Sequence, residues 1–274
     1  MTTREAIREV AAELEQAGCP SPRVDAEWLL AHVLGGSRTD LYADDRPLDE
    51  AELFRLRSLV DRRRAREPLA YVLGEWGFRR LILAVDPRVL IPRPETEILV
   101  ERCLAILEGV ERPRVLDIGV GSGAIALAIA DERPDAQVVG TDSSSGALEV
   151  AQENKLRLGL DGGVELRNGE LLADAEGPFD LVVSNPPYVA AKDIDSLEPE
   201  ILWEPREALV GAGRHEEIAS AAKPVLRSGG ALVLEVADGQ AAEVATSLGM
   251  LGYVEVSTTP DLAGRERVVD GRSP

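Results

Sequence analysis

The chain has 274 residues, 45% of them hydrophobic, enough for a sizeable core and more than a single domain usually holds. Its 30 basic against 49 acidic residues give a net charge of −19, the wrong sign for neutralising phosphates along a duplex, so a nucleic-acid partner is disfavoured. Two cysteines, Cys19 and Cys103, and two histidines, His32 and His215, make neither a disulfide framework nor a metal-ligand set, and no apolar run approaches membrane-spanning length.

In chain order, the first elements are helical. Thr2 with Glu5 gives a capping box, and Ile7, Val10, Ala11 and Leu14 share one face before Gly18 ends the helix. The start is amphipathic, not an apolar leader, which predicts a cytoplasmic protein. Ser21-Pro22 predicts a second helix with a serine cap and proline in the first turn, carrying Val24, Trp28, Leu29 and Val33 to Gly35. A third helix is expected over residues 49–66, stopped before Pro68. Residues 1–75 therefore read as an all-helical domain without a chemical constellation, suited to recognition or support. Arg62-Arg63-Arg64-Ala65-Arg66 is the one basic cluster, either a solvated helix end that complements the dipole or a docking patch.

Residues 76–95 read as a linker in which 79–86 and 89–91 form a short hairpin. From about residue 96 strands and helices alternate, which predicts a parallel sheet covered on both faces over 96–274. Residues 254–256 and 267–269 are expected to close it as a terminal pair.

Val115-Leu116-Asp117-Ile118-Gly119-Val120-Gly121-Ser122-Gly123 is followed by an apolar run from Ala124 to Ala130, giving strand, glycine turn and helix. Glycines at alternate positions permit positive φ and a close backbone approach, and the helix N-terminus offers free N–H groups. The next strand, Gln137–Asp142, ends in a carboxylate at a ribose-binding distance downstream. Alone, this turn suits a nicotinamide dinucleotide, S-adenosylmethionine (SAM), or no ligand at all.

Further on, Leu181-Val182-Val183-Ser184 reads as a buried parallel strand and runs into Asn185-Pro186-Pro187-Tyr188 at the sheet's carboxyl edge, where open α/β sheets bind ligands. Two prolines remove two N–H donors and fix φ, so the strand must stop and the Pro186 carbonyl is held rigidly. The Asn185 side-chain carbonyl and the Pro186 carbonyl can each accept a proton from a planar –NH2 group, while Tyr188 stacks on its face. Such a cluster suits chemistry at an amide or amino nitrogen.

With these two motifs in this order, the chain resembles the class I SAM-dependent methyltransferases, and among them the HemK/PrmC family of peptide chain release factor glutamine N5-methyltransferases. Three further stretches carry the likeness: residues 68–78, Leu90-Ile91-Pro92-Arg93-Pro94-Glu95-Thr96-Glu97, and Trp203-Glu204-Pro205-Arg206-Glu207-Ala208-Leu209, and the end from Asp261 to Arg267 fits as well. The resemblance implies an α/β, Rossmann-like, mostly parallel seven-stranded sheet with a small N-terminal helical bundle. It implies methyl transfer from SAM, leaving S-adenosylhomocysteine, to the glutamine of a Gly-Gly-Gln loop in release factors. Asn185, Pro186 and Tyr188 would be catalytic, with Pro187 joining them against the substrate. Gly119, Val120, Gly121, Ser122, Gly123, Asp142, Glu170, Asn185 and Arg93 would serve the cofactor. No metal, nucleic-acid or membrane partner is expected, and a monomer is. Where the family places an adenine-binding Asp, this chain has Asn168-Gly169-Glu170, with Asn168 or Glu170 as substitutes. An adenine-N6 methyltransferase would use the same tetrapeptide on an exocyclic amine, and a vestigial, non-catalytic binder of SAM is the remaining reading.

Overall fold

The computed structural model describes all residues except Asp44 and Ala212. The chain divides into two compact units, one of Met1–Glu75 with Leu197–Trp203, the other of Trp76–Ser196 with Glu204–Pro274.

The first unit contains α1 (Thr3–Gln16), α2 (Pro22–Leu34), α3 (Asp40–Ala43), α4 (Glu50–Arg64) and α5 (Leu69–Leu73). Reciprocal capping boxes open α1 through Thr2 and Glu5 and α4 through Asp49 and Glu52. Ser21, expected as a cap, makes no side-chain cap bond, and Pro22 alone sets the entry into α2. Ala6, Val10, Leu14, Leu29, Leu56 and Val60 form the core. Every arginine of the 62–66 cluster is paired inside this unit: Arg62 with Glu67, Arg63 with Asp25 and Glu200, Arg64 with Glu13 and Asp61, Arg66 with Glu200. The cluster is thus a set of internal ion pairs.

After the helices, β1 (Glu75–Phe78) and β2 (Leu81–Ala84) form a hairpin, earlier than expected; residues 89–91 form no strand. Pro92 follows directly, and the Ile91 N–H is spent on the Glu204 carboxylate at 3.0 Å, so no ladder can form there. Then come α6 (Pro94–Ile106), β3 (Arg114–Ile118), α7 (Ala124–Glu132), β4 (Gln137–Asp142), α8 (Ser145–Arg157), β5 (Val164–Asn168), β6 (Phe179–Ser184), α9 (Arg206–Leu209), α10 (Arg214–Ala222), β7 (Leu226–Glu235), α11 (Ala241–Met250), β8 (Val254–Pro260) and β9 (Glu266–Arg272).

The seven-stranded sheet runs β5-β4-β3-β6-β7-β9-β8, parallel from β5 to β7, with β9 and β8 as the antiparallel closing pair. One core, including Leu99, Leu127 and Ile129, covers one face and another, including Ile218, Val244 and Leu248, the other. Strand order reverses between β3 and β6, and both end toward the same carboxyl edge. That reversal opens a crevice above the two motifs.

Candidate active site

The site is built first from the turn after β3. Gly119, Gly121 and Gly123 have φ of +79°, +54° and +88°, a region that penalises any side chain. A Cβ on Gly119 or Gly121 would meet nothing within 4 Å, so the backbone there lies open to a ligand. The Asp142 carboxylate at the end of β4 accepts the Gly121 N–H and the Ser144 N–H, each at 2.9 Å, which ties the turn to the neighbouring loop. Beneath it, Asp117 is fully buried; Oδ2 accepts the Ala126 N–H at 3.1 Å and Oδ1 has no donor. Burial pushes its carboxyl up to about 7, opposed by that N–H and reinforced by Asp142.

An open cleft spans these groups. Gly119, Gly121, Asp142, Asn185, Pro186 and Pro187 line it. Glu170 and Leu171 close the side beyond β5, where Gly169, Leu171, Ala173 and Asp174 all hold positive φ. Asn168 is not among the cleft's lining, and its Nδ2 donates to the Asp142 and Ser143 carbonyls at 3.3 and 3.4 Å. Glu170, exposed at the cleft, keeps its carboxylate available as an acceptor.

Asn185 follows β6 directly. Its Nδ2 donates to Thr96 Oγ1 at 3.2 Å, and its buried Oδ1 has no donor among the described residues. A buried carbonyl left unpaired costs about 1–3 kcal/mol, so a donor arriving from the cleft would recover that penalty. Tyr188 is not among the cleft's lining; burial, helped by the nearby Glu235, pushes its phenol up to about 12, so it stays neutral.

Among known families, a model described as the PrmC N-terminal domain matches residues 5–74, and one described as the methyltransferase small domain matches residues 95–221. The chain is 42% identical over 278 residues to the release factor glutamine methyltransferase of Geobacter sulfurreducens, covering 99% of this chain and 96% of that protein. It is 43% identical over 286 residues to the protein of the same description from Burkholderia pseudomallei, covering 100% of both. The chain belongs to the release factor glutamine methyltransferase family.

Solved structures agree with this family's fold. A methyltransferase from Pyrococcus furiosus superposes with a TM-score of 0.51 at 20% identity, covering 71% of this chain and 89% of that one. The 16S rRNA N2 G1207 methyltransferase of T. thermophilus, solved with AdoMet and guanosine, gives 0.55 at 20% identity over 73% of this chain and 50% of that one. The class I methyltransferase fold is therefore established.

Within this release factor glutamine methyltransferase fold, the expected residues separate into two groups. Gly119, Gly121, Asp142, Glu170, Asn185, Pro186 and Pro187 converge on the cleft. Val120, Ser122, Gly123 and Arg93 are not among its lining. Val120 packs against Gly140, the Ser122 carbonyl accepts Asn154 Nδ2–H at 2.9 Å, Gly123 caps α7, and Arg93 pairs with the buried Glu204. Each of these four has a partner in the frame of the site. Sequence reasoning missed Thr96 and Glu235, whose only signal was position: one in the first turn of α6, the other at the last residue of β7.

Proposed function

We propose that this chain transfers the methyl group of SAM to the side-chain amide nitrogen of the glutamine in the Gly-Gly-Gln loop of peptide chain release factors. The observation that carries this reading is Asn185 Oδ1, buried and without a donor beside the open glycine turn. The glycine turn and the Asp142 carboxylate fit a nucleoside cofactor: the first offers space and N–H groups, the second acceptor sites for ribose hydroxyls. Glu170, exposed on the cleft, would offer an acceptor to an adenine amino group.

SAM, when bound, supplies a strongly electrophilic sulfonium methyl. The glutamine nitrogen is a poor nucleophile because its lone pair is delocalised into the carbonyl, so positioning has to dominate. Asn185 Oδ1 and the Pro186 carbonyl would each accept one –NH2 proton, directing the lone pair and stabilising charge that develops on nitrogen. Tyr188, neutral, would exclude water from the amide plane, and the released proton passes to solvent.

Mass spectrometry of a release factor incubated with this protein and SAM tests the reading. One methyl group on the Gly-Gly-Gln glutamine is expected, and its loss by ~10²–10³-fold in Asn185→Ala with SAM affinity retained. An unmodified release factor alongside methylated DNA or tRNA would overturn it in favour of base methylation.

A further inference from the structure

Asn185 can serve as an acceptor only if one particular end of its amide is presented. The oxygen and nitrogen are alike in size, so packing does not decide which end meets a ligand. The decision falls to the hydrogen-bond partners.

Those partners are set by the sheet and by α6. β6 and β7 are parallel, with Ser184 opposite Leu234, so the next residues, Asn185 and Glu235, stand side by side past the carboxyl edge. Thr96 is 4% exposed and its hydroxyl accepts the Asn185 Nδ2–H. Glu235 is 2% exposed, and its Oε2 has no donor. Burial pushes the Glu235 carboxyl up to about 7; the Thr96 hydroxyl, Arg267 and the Asn185 amide oppose that rise, and Glu95 adds to it. Tyr188 feels the same carboxylate, while His215 Nε2 reaches only the Glu235 backbone carbonyl, at 2.9 Å.

A hydroxyl transmits direction because it has one proton to give. An ionised carboxylate only accepts, so beside the Thr96 hydroxyl and the Asn185 amide it can take a proton from either and offers none to the amide oxygen. The geometry points to Thr96 and Glu235, the two acceptors beside the Asn185 nitrogen, as the positioning residues that fix the amide with its nitrogen held and its oxygen free for the acceptor amine. This rests on the acceptor role of Asn185 proposed above. A neutral Glu235 could donate instead and let the amide turn over.

Single-turnover methylation of a Gly-Gly-Gln peptide, with SAM affinity measured in parallel, tests this on Thr96→Val, Glu235→Leu and Asn185→Ala, singly and paired. Thr96→Val and Glu235→Leu should each slow transfer on the order of tenfold, the equivalent of one lost hydrogen bond, with SAM affinity within about twofold. Neither should slow the Asn185→Ala enzyme further. Thr96→Ser and Glu235→Gln, the variants safest for folding, should recover most of the rate because a hydroxyl or a carbonyl acceptor is restored. The same fractional loss with and without Asn185 would overturn the proposal.

A second readout needs no substrate. The Asn185 side-chain NH2 resonances, assigned by their disappearance in Asn185→Ala, should move as pH passes through about 7 in wild type and stay still in Glu235→Gln. Resonances indifferent to Glu235 in both proteins would also overturn it. An orientation signal that holds while no glutamine is methylated would instead remove the functional reading alone.

Discussion

At the scale of single residues, two carboxylates close to the turn behave in opposite ways. Asp142, partly exposed, is held by two backbone N–H groups and still has lone pairs to spare. Asp142→Ala should weaken SAM binding by roughly 1.5–3 kcal/mol, the worth of a hydrogen bond to a charged acceptor. Calorimetry with SAM and S-adenosylhomocysteine checks this, and unchanged affinity would take Asp142 out of the cofactor site. Asp117 is buried with a folded-state pKa raised from 3.8 to about 7. A carboxyl raised on folding favours the native state below its unfolded value, and that contribution is lost as pH climbs through the folded one. The native protein should therefore lose stability between about pH 4 and pH 7, and Asp117→Asn should flatten that slope. Glu235, shifted in the same direction, leaves a residual slope in the variant. Urea midpoints across this range decide it, and parallel profiles for the two proteins would deny Asp117 the role.

At the scale of elements, the glycine turn is shaped by its neighbour strand as much as by its own glycines. Gly140, in β4, lies where an added Cβ would come within 2.7 Å of Val120 Cγ2 and 3.1 Å of Leu166 Cδ2. Gly140→Ala should cost ~1–3 kcal/mol through overpacking and should displace Val120, weakening SAM binding along with stability. A variant with lowered Tm but unaltered SAM affinity would show that the turn is insulated from β4. Legibility divides along the same line. The turn and Asn185-Pro186-Pro187-Tyr188 could be read because each is local: alternate glycines, a strand ended by prolines, a carboxylate at the next strand's end. A capping box placed α1 for the same reason. Thr96 and Glu235 could not be read, since their meeting with Asn185 depends on the β6–β7 register and the approach of α6. The supposed strand at 89–91 failed because a distant carboxylate, Glu204, claims its N–H.

At the scale of the whole molecule, chemistry and recognition can be tested separately. All the cleft-lining residues lie at or after Arg88, in the second unit. A lone glutamine buries little surface, whereas specific protein recognition needs ~1,200–2,000 Å² in total. A fragment from Trp76 onward, if folded by circular dichroism, should bind SAM normally and lose far more activity on an intact release factor than on a Gly-Gly-Gln peptide. Equal losses would assign the helical unit to support of the site. One complication is structural: Glu200 in that fragment would be deprived of Arg63 and Arg66, so a control carrying Glu200→Gln belongs beside it.

The excursion of Leu197–Trp203 into the helical unit also orders events during synthesis. Residues 1–75 leave the ribosome first, and domains tend to fold as they emerge, yet this one lacks a piece encoded after β6. Until Glu200 appears, Arg63, only 3% exposed in the finished protein, has Asp25 as its one acidic side-chain partner among the described residues. While the glycine turn and β3 to β6 are translated, Arg63 can therefore pair with Asp25 but not with Glu200, whose ion pairs with Arg63 and Arg66 can form only after Asn185 has been made.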